Sequence, residues 1–269
     1  MLRLPAVSGR FYPSNPTELS ALVTKCANID ANVQPVRAKA CLTPHAGYVY
    51  SGHVAGEVYA RIAIPKRIVI LGVRHYPRGE NAAILLSGTW RTPLGDAQID
   101  EPLAASLRAA CPLLREDSVA HSAEHSLEVQ IPFLQVLGRE FTFVPIALGT
   151  VRFEDLVRVG EAVGRVVAAS HDEILLLTTS DLNHYENDAV TRVKDRRAIE
   201  QIMAMDARGL YDTCRNEEIS MCGLGPTVAM LTALKSLGPT NPELVCYTTS
   251  ADVSGDFSAV VGYAGMIFR

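Results

Sequence analysis

The stretch EILLLTTSDLNHY, residues 173–185, decides the fold, because a continuous apolar run in it ends abruptly on polar residues. Short apolar runs of this kind are typical of strands that are buried on both faces of a parallel sheet. The stretches RIVILGVRHY (67–76) and AKACLTPHAGY (38–48) have the same form, and each ends near a histidine. We interpret EISMCGLGP (218–226) as a fourth strand-like run, which ends on a cysteine.

Helical patterns alternate with these runs. Asn15-Pro16-Thr17-Glu18 combines a capping asparagine, a proline at the first helical position and a glutamate three residues after the cap, which predicts a helix start. Further helices are predicted over residues 53–62, 101–110, 124–137, 153–169, 188–205 and 225–237, and further strands over 82–86, 141–148, 243–249 and 259–268. This alternation predicts an α/β fold with a mainly parallel or mixed central sheet flanked by helices. No linker or repeat interrupts it, so we predict one domain over residues 1–269.

Composition narrows the class of protein. The chain has 269 residues, of which 48% are hydrophobic and 20% charged, and this is typical of a globular protein that folds without disulfides. A net charge of −4 without a basic cluster argues against nucleic acid and anionic membranes as partners. Six scattered cysteines, an N-terminus without a signal-like apolar segment and no apolar run long enough to span a bilayer predict a cytoplasmic location.

Potential metal ligands and proton carriers follow the predicted strands. In an open α/β sheet, loops at the carboxyl ends of the strands converge on one crevice. We therefore expect five side chains to meet there: His45, His75, Asp181, His184 and Cys222. Histidine, carboxylate and thiolate are all metal ligands, and histidine also titrates near neutral pH, so the crevice is predicted to be a metal site or an acid/base site.

Simpler interpretations of the same residues exist. Asp181 can cap a turn, and Cys222 can be a buried apolar thiol. The string His121-Ser-Ala-Glu124-His125 matches the H-x-x-E-H pattern of some zinc proteases, in which two histidines on one helical face share the metal. Phosphate-binding, dinucleotide-binding and serine-hydrolase motifs are absent from the sequence.

Seven strings taken together resemble the Memo family, known in bacteria and archaea as AmmeMemoRadiSam system protein B. They occur in the family's order and span most of the chain: GRFYP (9–13), PHAGYVYSG (44–52), ILGVRHY (70–76), RTPLG (91–95), EHSLEVQIPFL (124–134), TSDLNHY (179–185) and MCGLGP (221–226). The resemblance implies a fold similar to that of class III extradiol dioxygenases, which are non-haem iron(II) enzymes.

Carried over by position, the resemblance implies that His45 and His75 are metal ligands and that His184 is the acid/base histidine. Cys222 would stand where the dioxygenases have a carboxylate ligand. Because a thiolate is softer than a carboxylate, the implied metal is iron(II) or copper(I), with zinc as a third choice. The family's name also implies a functional link to a radical-SAM protein.

The leading hypothesis is a metal-binding protein that carries out redox or oxygen-related chemistry on a small molecule. In it, His184 transfers protons, Asp181 orients His184, and His125 and Tyr48 shape the pocket. The alternative is a non-catalytic module that binds a peptide or protein in the same crevice. A third hypothesis is zinc-dependent hydrolysis, at the His121/His125 pair or in the main crevice.

Overall fold

Within residues 1–28, 34–138 and 140–269, which the computed structural model describes, twelve strands join into one mixed β-sheet. The strands are Leu2–Arg3 (β1), Ala40–Thr43 (β2), Arg67–Val73 (β3), Ala82–Ile84 (β4), Thr89–Thr92 (β5), Gly95–Ile99 (β6), Arg115–Glu116 (β7), Thr142–Leu148 (β8), Ile174–Thr179 (β9), His184–Glu186 (β10), Pro242–Thr249 (β11) and Val260–Phe268 (β12).

Ten α-helices in the same described ranges surround the sheet. They are Pro16–Ala27 (α1), Tyr48–Arg61 (α2), Glu101–Ala110 (α3), Val119–Ser122 (α4), Ile131–Leu137 (α5), Phe153–Ala168 (α6), Asp188–Met203 (α7), Ala207–Asn216 (α8), Leu224–Leu234 (α9) and Ala251–Ser254 (α10). Short 3₁₀ helices cover Glu128–Gln130 and Lys235–Leu237. No helix in these ranges has both the length and the apolar character needed to cross a membrane.

Five parallel strands form the centre of the sheet, in the order β6–β8–β3–β9–β2. In register, Val69 of β3 lies between Val144 of β8 and Leu176 of β9. Antiparallel neighbours complete both sides: β5 pairs with β6, and β12 pairs with β2. The predicted α/β class with a mixed central sheet flanked by helices is therefore confirmed.

The central strands are buried on both faces. Consecutive residues Ile68 and Val69 are both fully inaccessible to solvent, although adjacent side chains of a strand point to opposite faces. Two groups of helices supply the cover, one of α1, α2 and α5 and one of α6, α8 and α9. This double cover explains why the strands are continuous apolar runs and do not alternate with polar residues.

The parallel strands end at one edge, and this edge positions the candidate site. His45 lies two residues after β2, His75 two residues after β3 and Asp181 two residues after β9. Since β9 lies between β3 and β2, the loop carrying Asp181 lies between the loops carrying the two histidines. The expected convergence of these loops follows directly from the strand order.

Several predicted elements are wrong. Residues 124–137 do not form one helix: Glu124 and Ser126 lie in a turn, and the α-helix begins only at Ile131. The run 218–226 contains no strand, because it is a turn followed by the start of α9. No strand was predicted around residues 91–95, which belong to the β5–β6 hairpin. Helix α8 was not predicted, and α2 begins five residues before the predicted His53.

Candidate metal centre

His45 lies at the bottom of the crevice and is almost completely buried, with 1% of its surface exposed. Its backbone N–H donates to Asp181 Oδ1 at 2.8 Å, and its Nδ1 hydrogen-bonds Thr179 Oγ1 at 2.8 Å. Both partners come from the end of β9, so β9 fixes both the backbone and the ring of His45. Burial, together with His75, lowers the pKa of His45 and keeps its imidazole neutral.

Cys222 faces His45. Its Sγ lies 3.1 Å from His45 Nε2 and accepts a hydrogen bond from the Asp181 backbone N–H at 3.3 Å. Burial and the nearby Asp181 carboxylate raise the pKa of the thiol. Gly223 allows the turn that carries Cys222 to lie against the end of β9, because a Cβ atom at position 223 would lie 2.3 Å from Ser180 Cβ. The sequence predicted that His45 and Cys222 lie in one crevice, and in the structure their side chains are in direct contact.

His75 is held by Glu124. The Glu124 carboxylate accepts hydrogen bonds from the His75 backbone N–H at 2.7 Å and from His75 Nδ1 at 2.9 Å. A carboxylate can only accept at neutral pH, so Nδ1 carries the proton and Nε2 is left available to a metal. Burial raises the pKa of Glu124. The hydrogen bond from His75 and the electrostatic effects of His75 and His125 lower it more strongly, so the pKa of Glu124 falls to about 2.

His125 completes a cluster of three imidazoles. Its ring stacks on that of His75 with centroids 4.4 Å apart, and it meets the His45 ring edge-on at 5.6 Å. Burial and the neighbouring His45 and His75 rings lower the pKa of His125 to about 4. The structure thus places His125, predicted to shape the pocket, directly against both predicted histidine ligands.

Three sets of potential ligand atoms overlap in this crevice. In each set the nitrogen, sulfur or oxygen atoms lie within 4.8 Å of one another. The sets are His45/His75/Cys222, His75/Glu124/His125 and Asp181/His184/Cys222. The first is the predicted ligand set, and two imidazoles with one thiolate suit iron, copper or zinc chemically. The second contains Glu124, which the sequence had suggested only as part of the H-x-x-E-H string.

Asp181 and His184 have different partners from those we predicted. The Asp181 carboxylate accepts from the His45 backbone, and burial raises its pKa although that hydrogen bond and the surrounding histidines oppose the rise. His184 is oriented by Ser220, whose hydroxyl accepts from the His184 N–H at 2.8 Å and whose carbonyl accepts from Nδ1 at 2.9 Å. The residue that orients His184 is therefore Ser220, and Asp181 positions His45.

Gln130 connects the loops of the site, and sequence reasoning missed it. Its amide group donates to Pro44 O at 3.0 Å and to Thr179 Oγ1 at 3.0 Å, and its carbonyl accepts from Thr43 Oγ1 at 2.9 Å. One buried side chain thus joins the ends of β2 and β9. The only signal in the sequence was a polar residue inside an apolar helical stretch, which a solvent-facing position would explain equally well.

Two predicted residues lie apart from the histidine cluster. Tyr48 is buried beside Phe133, and its hydroxyl donates to Val129 O at 2.6 Å, so it has a packing position. His121 is buried against Trp90, and its Nδ1 donates to Asp117 O at 2.8 Å. Because α4 ends at Ser122, His121 and His125 do not share a helical face. The zinc-protease interpretation of H-x-x-E-H is therefore wrong for this chain.

Comparisons with known proteins agree with the architecture. Residues 3–267 match the model of a family described as Memo-like protein. A MEMO1 family protein of Methanopyrus kandleri is 40% identical, over 100% of this chain and 99% of that protein. One from Methanocaldococcus jannaschii is 39% identical, over 99% and 98%. A crystal structure of an uncharacterised Escherichia coli K12 protein shares the fold, with a TM-score of 0.55, 13% identity and coverage of 86% of this chain and 100% of that one.

Proposed function

Because this chain belongs to the Memo-like protein family, we propose that it binds a metal ion through His45, His75 and Cys222 and carries out redox or oxygen-related chemistry on a small molecule. One observation carries the proposal: ligand atoms from three separate chain segments lie within 4.8 Å of one another. The donor set favours iron(II) or copper(I), with zinc as the third metal to test. When bound, such a metal supplies one-electron or Lewis-acid chemistry.

The protein's own residues prepare the ligands. Glu124 holds His75 through Nδ1, and Thr179 holds His45 through Nδ1, so the Nε2 atoms of both rings are the nitrogens left for a metal. Cys222 must lose its proton to act as a ligand, because only the thiolate binds metal. Metal binding at this set thus exchanges the Cys222 proton for one cation.

His184 is the proposed proton carrier. Its Nδ1 donates to the Ser220 carbonyl, so the neutral ring has Nε2 free to accept a proton. One of its nitrogens belongs to the set with Asp181 and Cys222, within 4.8 Å. A histidine in this position can take a proton from a substrate bound beside the metal and return it later in the reaction.

The test is metal analysis of protein loaded anaerobically with iron(II), copper(I) or zinc. We expect about one metal ion per chain in the wild type, and loss of the ion in His45→Ala and Cys222→Ser. His171→Ala and Cys246→Ser are matched controls, because neither residue belongs to any of the three ligand sets. A control variant that loses metal as the site variants do, or a wild type that binds none, would overturn the proposal.

A second candidate function is a non-catalytic binding module. One observation favours it: exposed tyrosines directly follow two histidines of the crevice, Tyr76 after His75 and Tyr185 after His184. Tyr185 is 79% exposed and has a φ of 62°, which is unusual for a bulky residue. Metal-loaded protein that consumes no oxygen, together with peptide binding that Tyr185→Ala abolishes, would favour this function.

A further inference from the structure

A second cavity lies beside Cys222, on the side of β3 and β8. Its volume is about 230 Å³, and its wall includes Arg74 and Thr150 from the strand ends, Arg215 from α8 and Cys222 itself. Val73 and Leu148, the last residues of β3 and β8, also line it. The cavity therefore opens at the carboxyl edge of the sheet, where ligands of open α/β folds bind.

The charges in this cavity are all positive. None of its lining residues is Asp or Glu, whereas Arg74 and Arg215 both belong to the wall. Within residues 1–28, 34–138 and 140–269, neither arginine forms an ion pair with a carboxylate. The first residues of α9, Leu224 and Gly225, lie on the same wall and add the positive end of a helix dipole.

Arg74 is held in place before any ligand arrives. Its guanidinium donates to Gly79 O at 2.7 Å and to Asn81 Oδ1 at 2.7 Å, both neutral acceptors that leave its charge unbalanced. Gly149 leaves room for it, since a Cβ atom there would lie 2.4 Å from Arg74 Nε and overlap with the guanidinium. In the described part of the chain, Nε of Arg74 is buried and has no hydrogen-bond partner. A fixed cation with an unused donor fits an anionic acceptor.

We propose that this cavity binds the oxyanion group, carboxylate or phosphate, of the small molecule that reacts at the neighbouring metal centre. Naming the ligand as the substrate rests on the proposed function, whereas anion binding by the cavity does not. Cys222 belongs both to the cavity wall and to the His45/His75/Cys222 set, so an anionic group in the cavity lies next to the candidate metal centre. The volume is sufficient for a small anionic group and not for a folded macromolecule.

Calorimetric titration of the metal-free protein with inorganic phosphate and, separately, with oxalate tests the cavity. We expect saturable binding of at least one anion, weakened about tenfold or more in Arg215→Gln, because a hydrogen bond to a charged group contributes at least that factor. Arg215 is exposed, so its replacement does not endanger the fold. The anion that binds with the lower dissociation constant shows whether the cavity prefers a phosphate or a carboxylate.

Arg208→Gln is the matched control. Arg208 lies on the same helix about two turns earlier, is paired with Asp212 and does not line the cavity. We expect this variant to bind the anion within about twofold of wild type. Equal weakening in both variants would mean non-specific attraction, and no saturable binding of either anion would overturn the proposal.

Comparing the anion titration with the metal analysis described above separates this proposal from the proposed metal-binding function. If metal-free protein binds the anion and Arg215→Gln does not, the cavity is established even where metal analysis finds no ion. If metal is bound but Arg215→Gln has wild-type anion affinity, the metal proposal stands and this inference falls.

Discussion

At the scale of single residues, Glu124 controls how His75 presents its free nitrogen. It accepts from both the His75 backbone and its Nδ1, and it also accepts from the Ser126 N–H at 2.7 Å. We expect Glu124→Gln to weaken metal binding about 10- to 100-fold, as removal of such supporting carboxylates does. Competition with a chromophoric chelator measures this. Glu161→Gln, an exposed change on α6, is the control, and equal affinity in wild type and Glu124→Gln would contradict the role.

Asp195 makes stability depend on pH in an unusual direction. Burial raises its pKa to about 6, although the Asn183 N–H and the Tyr247 hydroxyl donate to it. The unfolded carboxyl titrates at about 4, so the folded state binds the proton more tightly. The stabilisation that this tighter proton binding provides is lost as the pH rises from about 4 to about 6. Above pH 6 the buried Asp195 carboxylate is ionised, and this lowers the free energy of unfolding by about 2–3 kcal/mol.

Asp195→Asn removes this titration, because the amide stays neutral. We expect the stability of the variant relative to wild type to increase as the pH rises from about 4 to about 6. Urea denaturation midpoints at several pH values provide the measurement. A difference between the two proteins that is constant over this range would show that Asp195 does not titrate there.

At the scale of elements, the buried Glu128 attaches the N-terminal segment. Its carboxylate forms an ion pair with Arg3 at 2.7 Å and accepts from the Ala6 and Val7 N–H groups and the Tyr12 hydroxyl. Arg3 also donates to the carbonyls of His121 and Glu124. The same network thus fixes the start of the chain and the turn that carries Glu124 and His125.

Glu128→Gln should therefore destabilise the protein by about 3–5 kcal/mol, since it leaves the buried Arg3 charge without its negatively charged partner. Denaturation in urea measures the loss, and limited proteolysis should show faster cleavage within residues 1–12. Glu18→Gln, an exposed change on α1, is the control. If Glu128→Gln unfolds at the same urea concentration as wild type, the ion pair is not needed for attachment.

Elements defined by local pattern could be predicted, and elements defined by distant contacts could not. Residues 68–71 of β3 and 174–177 of β9 are continuous apolar runs, which is a property of the sequence alone. Residues 124–130 are helical in pattern, but Glu124 and Ser126 hydrogen-bond to His75 and Val73, and these contacts keep residues 124–127 out of the helix. The pairing of Glu124 with His75 likewise depends on strand order, which no local pattern contains.

At the scale of the whole molecule, the candidate ligands tie distant parts of the chain together. His45 follows β2 and His75 follows β3, whereas Cys222 precedes α9. The predicted strand ends were sufficient to bring the two histidines together, whereas the contact of Cys222 with His45 depends on how α9 packs over the sheet. Metal binding should therefore stabilise the folded chain as one unit.

We expect metal at about 1,000 times its dissociation constant to raise the melting temperature by on the order of 10 °C, because a ligand at that concentration contributes about 4 kcal/mol. Differential scanning calorimetry with and without metal tests this. His45→Ala should show no shift, and His171→Ala should shift as wild type does. If the wild-type protein melts at the same temperature with and without metal, the prediction is wrong.

The position of β12 has a consequence for how the protein folds during synthesis. β12 pairs with both β2 and β11, and β2 in turn borders β9 in the parallel centre. On a translating ribosome, β2 emerges early, and its partner along one side is made only near residue 266. Such sequence-distant pairing slows folding and leaves a strand edge open meanwhile. The nascent chain must therefore keep the edge of β2 from pairing with other chains until β12 is made, and this interval is when chaperones would matter most.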